Sequence, residues 1–384
     1  MNLDHDFIIC GGGISGLLLT VKLSQNPLYI NKSILLIDPV FPKLDNDRTL
    51  CFWDKGDTVW DSLMTCKWEN VIFKNGTYVE TLDLDPLNYK MLSSKSFYNY
   101  ANSVINKNKN VKILKSKVIN YNDLKSYCIV KTKDDSFKCR KVFNSVMDWD
   151  STKNNIKFPL LLQHFEGWVI KTEKENFDPK KATFMDFSIN QNSSTQFMYI
   201  LPFSKTEALV EYTLFSEQLL ETDKYKSALK DYLSSLGILN YQIKSRESGK
   251  IPMTCYPFFE LNTKNILNIG SAGGWSKPST GYTFKNIDRN TSRILDFLKE
   301  DRSFKDFLKK DRFWFYDLIF LDVLFYKNHL GKTLFTSMFK KNDPKTIFRF
   351  LDNKSSIYEE FKIMLSFPKL IFLSAVLKRL FKGL

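Results

Sequence analysis

Residues His5–Gln25, HDFIICGGGISGLLLTVKLSQ, constrain this chain more tightly than any other stretch. A short apolar run meets three consecutive glycines, and a denser apolar segment follows that suits a buried helix. SILLID, Ser33–Asp38, is a second apolar run and ends in an acid. Strand, glycine turn, helix and strand make a βαβ unit, which opens an α/β domain. Gly11, Gly13 and Gly16 fit G-x-G-x-x-G, with Gly12 and Ser15 between them, and Asp38 follows Gly16 by 22 residues. In that context the spacing is a dinucleotide fingerprint. The first glycine permits the tight turn. The second lets backbone approach a pyrophosphate, whose charge the helix N-terminus favours. Asp38 is placed to accept hydrogen bonds from the ribose hydroxyls of adenosine. Such a fingerprint suits either FAD or NAD.

The second glycine-rich stretch, IGSAGGWSKPSTGYTFKN (Ile269–Asn286), follows a further apolar run. FAD-containing folds return to the flavin late in the chain through a strand, a glycine-rich turn and a helix. This stretch supplies that return, with Gly270, Ser271, Gly281 and Tyr282 as cofactor-facing candidates. Between the two, PLNYKMLSSKSFYNYANSVI (Pro86–Ile105) reads as a helix, while VKIL, SYCIVKT and KCRKVFNSVMD read as strands. From about Phe158 the texture changes. GWVIKT, ATFMDF, TQFMYILPFS and EALVEYTLFS are strand-like runs with short polar turns, which implies a mainly antiparallel sheet. A helix then ends at Gly237. The expected partition is a Rossmann-type FAD-binding domain over 1–157 with 241–295, a substrate domain over 158–240, and a helical, membrane-proximal region over 296–384.

Composition narrows the partners. Lysine and arginine number 56 against 42 acids, a net charge of +14. That excess draws polyanions, and without a nucleic-acid-binding signature an anionic lipid surface is the better partner than nucleic acid. The 33 phenylalanines exceed what an ordinary core needs, so some are expected against lipid or a large apolar ligand. Six cysteines without a CxxC pair suggest a reduced, intracellular chain without a disulfide framework, and no metal site is expected. The acidic N-terminus does not read as a signal peptide. FPKLIFLSAVLKRLFKGL (Phe367–Leu384) carries four basic residues and an apolar run, Leu370–Leu377, far too short to span a bilayer. FWFYDLIFLDVLFY is interrupted by Asp317 and Asp322. Both segments suit a monotopic protein, peripheral on the cytoplasmic membrane.

GGGISGLLL, NDRTLCFW (Asn46–Trp53), FMDF (Phe184–Phe187), FMYILPFS with ALVEYTLFS, IPMTCYPF and IGSAGGWSKPSTGYTF together resemble the lycopene β-cyclase family. The resemblance covers roughly residues 5 to 290. It implies a flavin-containing fold like that of aromatic hydroxylases and geranylgeranyl reductases. It also implies non-redox cyclisation of the ends of lycopene or a related acyclic carotenoid, dependent on reduced FAD with NAD(P)H as electron donor. Most redox members of the wider superfamily carry an acid after the late Ile-Gly, and Ser271 stands there. Cyclases also tend to lack that acid. The family's catalytic motif usually has two acids before a threonine, whereas this chain reads Glu211-Tyr212-Thr213.

Ring closure needs a strong acid in a dry pocket, a stabiliser of positive charge and a base. Glu211 is the first candidate for the acid, because Leu209, Glu211, Thr213 and Phe215 alternate onto one strand face. An apolar setting raises a carboxyl's pKa and keeps its proton. Asp186, expected to share a face with Phe184, is the second. Phe52, Trp53 and Trp275 are candidates to steady a cation, and Arg48 to contact the flavin or its phosphates. An FAD-dependent monooxygenase or isoprenoid reductase acting on a lipid is the alternative enzyme, and a carotenoid- or flavin-binding protein without activity the alternative outside catalysis.

Overall fold

The computed structural model describes residues 2–43, 48–155 and 157–382, so Asn46 and Asp47 of the NDRTLCFW motif lie outside the described residues. The chain divides into two compact units. The first gathers Met1–Asp47, Ser93–Phe158 and Cys255–Arg312; the second gathers Arg48–Leu92, Pro159–Thr254 and Phe313–Leu384. This differs from the expected partition at 48–92 and at 241–254, both in the second unit, and the region expected over 296–384 is divided, its residues up to Arg312 in the first unit and Phe313–Leu384 in the second. Long-range strand pairing draws 48–92 and 241–254 into the second unit.

In the first unit, His5–Cys10 is flanked by Ile34–Ile37 and Ser136–Asn144, with Val111–Leu114 beyond Ile34–Ile37, all parallel. Cys128–Thr132 and Val118–Asp123 continue the sheet antiparallel, and Ile266–Asn268 lies parallel to the end of Ser136–Asn144. Ile8, Cys10, Leu35, Ile37, Cys128, Cys139 and Val142 pack into one cluster, so three of the cysteines serve as small core residues. Helix Ile14–Gln25 buries Leu17, Leu18, Leu19, Val21 and Leu23. Its Lys22 ammonium donates to the Asp288 carboxylate (2.6 Å) and the Ser292 hydroxyl (2.7 Å) on helix Phe284–Lys299. The helix expected over Pro86–Ile105 begins only at Ser94 and runs to Lys107. Leu87–Ser93 is a strand, and Ser93 caps the helix by accepting from the Ser96 N–H (3.1 Å).

The second unit is built on a seven-stranded sheet in the spatial order Tyr241–Met253, Leu161–Thr172, Glu207–Ser216, Thr195–Pro202, Lys181–Asp186, Asn70–Lys74, Val79–Asp83. Only the Lys181–Asp186 and Asn70–Lys74 pair is parallel; the other neighbours are antiparallel. A smaller sheet contains Thr49–Lys55, Leu87–Ser93 and Met64–Trp68. Strand alternation divides the faces of the large sheet. Trp168, Met198, Val210, Tyr212 and Leu214 pack under helix Thr222–Ser235, against its Tyr225, Leu229, Tyr232 and Leu233. The opposite face is aromatic. Phe187 stacks on Phe335 (5.8 Å between centroids) and Phe73 on Phe339 (4.7 Å), both partners belonging to helix Gly331–Lys341. Phe184 meets Phe348 of helix Pro344–Leu351 at 5.5 Å. Much of the phenylalanine excess is therefore internal to this unit.

Helix Arg312–Tyr326 carries Asp322, buried, and the helix Lys369–Lys382 carries Arg379, also buried. The guanidinium donates two parallel hydrogen bonds to the carboxylate, each 2.5 Å. Of the four tail cations expected on a lipid surface, Arg379 is thus turned inward, because it answers the acid that interrupts the apolar helix. Arg379→Met leaves Asp322 charged and buried without its partner. It is expected to destabilise the protein by about 3–5 kcal/mol, read as a lower urea midpoint, while exposed Lys378→Met leaves the midpoint unchanged. Among the described residues, no helix is long and apolar enough to cross a membrane.

Candidate active site

In the first unit the glycine turn is tied tightly. Gly11 has φ +101°, and the Gly11 N–H donates to the Ile37 carbonyl (2.8 Å). A Cβ at Gly16 stands 2.0 Å from the Gly11 carbonyl oxygen, so only glycine lets helix and turn meet. Ser145, which the sequence did not single out, donates its hydroxyl to the Cys10 and Gly11 carbonyls (3.0 Å each). Asp38 is buried; its oxygens accept from the N–H groups of Gly12 (2.6 Å) and Val40 (2.8 Å), and Lys43 lies 2.9 Å away. The carboxylate thus fixes the turn. Helix Ile14–Gln25 starts at Gly13 with no side-chain cap and no acid in its first turn. Its leading N–H groups suit an anion. A Cβ at Gly13 meets nothing within 4 Å.

The late glycine stretch returns to the same place. Gly270 has φ +61°, and a Cβ there meets the Ser15 hydroxyl at 2.3 Å. Gly281 and Tyr282 close a turn in which Lys277 N–H donates to the Tyr282 carbonyl (2.8 Å) and Gly281 N–H to the Lys277 carbonyl (2.7 Å). Thr280 Oγ1 and Trp275 Nε1 are buried here without a hydrogen-bond partner among the described residues. An uncapped helix start, open space at Gly13 and orphaned polar atoms fit a dinucleotide between Ser15 and the late turn. Trp275 packs on Phe307 (6.2 Å) in this unit. Arg48 belongs to the second unit, where it is exposed at the head of strand Thr49–Lys55.

In the second unit Glu211 is 9% exposed and lies on the aromatic face of the large sheet. Its cross-strand neighbours are Gly167 on one side and Tyr199 on the other. Burial first, then the charge of Glu247, hold its carboxyl well above the usual carboxylate range, against a hydrogen bond from the Thr213 hydroxyl (2.6 Å) that acts the other way. Tyr212, standing where the family motif has its second acid, points to the opposite face and donates to Gln196 Oε1. Phe52 and Trp53 are both buried, with Trp53 edge-on to Phe348 at 4.8 Å.

Asp186 does not share a face with Phe184. The register slips between Thr183 and Asp186 against one neighbouring strand, and between Thr183 and Met185 against the other. This bulge keeps Phe184 among the aromatics and turns Asp186 under helix Thr222–Ser235. There it accepts from the Tyr232 hydroxyl (2.7 Å) and the Ser188 N–H (2.9 Å), with Lys74 at 3.7 Å. The two candidate acids therefore sit on opposite sides of one sheet. Glu247 is the residue that sequence reasoning missed. Its one legible signal was Gly167, a glycine inside a strand, which marks close approach across the sheet.

A Rossmann-type βαβ core, an added mainly antiparallel sheet and a helical C-terminal region define the fold of flavin-dependent monooxygenases and reductases. Three solved structures share it: a flavoprotein/dehydrogenase from Cytophaga hutchinsonii (TM-score 0.63, 10% identity, 99% of this chain and 100% of that one); a p-nitrophenol 4-monooxygenase from Pseudomonas putida DLL-E4 (0.58, 13%, 97% and 98%); and a geranylgeranyl bacteriochlorophyll reductase-like protein from Thermoplasma acidophilum (0.57, 11%, 94% and 95%). Within that class the chain belongs to the lycopene cyclase family, whose model, described as lycopene cyclase protein, matches residues 6–377. Over 144 residues it is 27% identical to a protein named lycopene beta-cyclase from Paracoccus sp. (strain N81106 / MBIC 01143). That match spans 36% of this chain and 37% of the relative.

Proposed function

We propose that this protein is a lycopene β-cyclase, which converts the acyclic ends of lycopene to β-ionone rings with FAD bound in reduced form. The observation that carries the reading is the buried Glu211 on an aromatic sheet face, where burial pushes its carboxyl well above the usual carboxylate range, in a chain of the lycopene cyclase family. Glu211 gives its proton to the terminal double bond of the substrate. The tertiary cation that forms is attacked by the neighbouring alkene, which closes the ring, and loss of a ring proton leaves the new double bond. One proton enters and one leaves, so substrate and product are isomers and no electrons are exchanged. The rings of Phe184, Tyr199 and Trp53 offer negative faces to the cation, each worth about 1–2 kcal/mol when dry.

Gly11, Gly12, Gly13, Ser15, Gly16 and Asp38, with Gly270, Ser271, Gly281 and Tyr282, hold the dinucleotide. Bound in its reduced form, FAD supplies negative charge that stabilises a developing cation. NAD(P)H is the proposed source of its electrons. A membrane surface is the proposed source of the water-insoluble substrate. Support comes from the last helix, where Leu370, Leu373, Leu377, Leu380 and Phe381 are exposed beside Lys369 and Lys378. Flotation with anionic vesicles tests that placement: the protein is expected in the lipid fraction, and its absence there at low salt overturns it.

Expression in a lycopene-accumulating bacterium, followed by chromatography of the pigments, tests the activity. β-Carotene or its one-ringed precursor is the expected product. Unchanged lycopene beside folded, flavin-loaded protein would favour a monooxygenase or reductase acting on another lipid.

A further inference from the structure

We infer that Glu247 is the partner of Glu211: the two side chains meet across Gly167, share one proton, and Glu247 acts as the positioning residue that keeps this proton on Glu211. The inference rests on the reading of Glu211 as the acid and supplies the second carboxyl that the motif at 211–213 lacks.

Strand register brings the pair together. Gly167 is directly opposite Glu211 on one side and directly opposite Glu247 on the other. Directly opposite residues project to the same face, so the two glutamates flank a position with no side chain. The gap is narrow. A Cβ built on Gly167 lies 3.1 Å from Glu247 Cγ and 3.4 Å from Glu211 Cβ. Any larger residue there would separate the carboxyls.

Each carboxyl is oriented from its far side. Glu211 Oε1 accepts from the Thr213 hydroxyl (2.6 Å). Glu247 Oε2 accepts from both the N–H (2.8 Å) and the hydroxyl (2.9 Å) of Thr49. Two donors on one oxygen favour the charge on Glu247, so the shared proton rests on Glu211. The approach across Gly167 brings the charge of Glu247 to bear on Glu211, and two carboxyls can hydrogen-bond to each other only with a proton between them.

The other titratable groups near this face come from strands Thr49–Lys55, Met64–Trp68, Leu87–Ser93 and Thr195–Pro202. They are Cys51, Cys66, Tyr89 and Tyr199, with exposed Arg48 one residue before Thr49. Cys51 is itself held up by burial and by the charges of Glu211 and Glu247, and Cys66 by burial. Neither thiol takes the proton in the carboxyl range.

The sign follows from like-charge repulsion. An anionic Glu247 disfavours a second anion at Glu211 and so raises the pH at which Glu211 loses its proton. Glu247→Gln keeps the shape and an acceptor for Thr49 but removes the charge. Infrared titration of the protonated-carboxyl carbonyl band reads the effect without reference to turnover, and is made on the full, flavin-loaded protein. The wild-type band is expected to persist well above the usual carboxylate range and to vanish in Glu211→Gln. In Glu247→Gln its midpoint falls by about one pH unit or more, and the alkaline limb of the cyclisation profile moves down with it. Glu247→Asp, which keeps the charge, restores most of both. An unshifted midpoint in folded Glu247→Gln overturns the pairing, as does loss of activity in proportion to folded protein with an unchanged pH profile. If Glu211→Gln removes the band yet still cyclises lycopene, the pairing stands and the acid assignment falls.

Discussion

Glu211→Gln is expected to abolish ring formation while leaving fold and bound flavin intact. The amide has the size of the carboxyl and can still accept from Thr213, so packing on the sheet is preserved. What it lacks is the proton. General acid catalysis by a positioned side chain is worth about 10²–10⁴-fold, and an unactivated alkene is protonated only by a strong, well-placed acid. The loss should lie near the upper end of that range. Pigment chromatography, normalised to flavin absorbance of the purified protein, measures it. Asp186→Asn is the instructive comparison. Its carboxylate is held by Tyr232 and Ser188 beneath helix Thr222–Ser235, so the change is expected to lower stability and leave turnover per folded molecule nearly untouched. Normal turnover in Glu211→Gln would remove the acid from this account.

Gly16→Ala is expected to empty the first unit of its cofactor. The added methyl stands 2.0 Å from a backbone oxygen, that of Gly11, which cannot move without opening the turn. Overpacking of this kind costs about 3 kcal/mol, and a turn forced open loses at least a hundredfold in FAD affinity. Gly13→Ala separates steric from ligand effects, since its methyl meets no protein atom within 4 Å. That variant should fold as the parent does, and any weakening of FAD binding then reports the close approach of the ligand. FAD titration followed by flavin fluorescence gives both constants. Wild-type affinity in Gly16→Ala would contradict the proposed cofactor site.

The difference between these two regions explains what the sequence disclosed. The glycine turn, Asp38 and the late return are local patterns, in which each residue's role follows from neighbours a few positions away. The face carrying Glu211 was also legible, because alternation along one strand suffices. Its partner was not. Glu247 lies 36 residues further on, and only the register of two strand pairs on Gly167 brings it near. A single bulge likewise decided Asp186, turning it away from Phe184 although the two are two positions apart on one strand. Residues 48–92 escaped assignment to the second unit because Asn70–Lys74 completes a sheet whose adjoining strand begins at Lys181. Arg379 looked like a lipid-facing cation until Asp322 was found beside it.

The most direct measurement is the mass of the product formed in deuterium oxide, with lycopene in vesicles and the reduced, flavin-loaded protein under anaerobic conditions. Proton-initiated cyclisation predicts β-carotene that carries one solvent deuterium per ring, with the flavin still reduced after many turnovers. An unlabelled ring, or a product whose formation oxidises the flavin in proportion, would contradict protonation by the protein as the step that closes the ring.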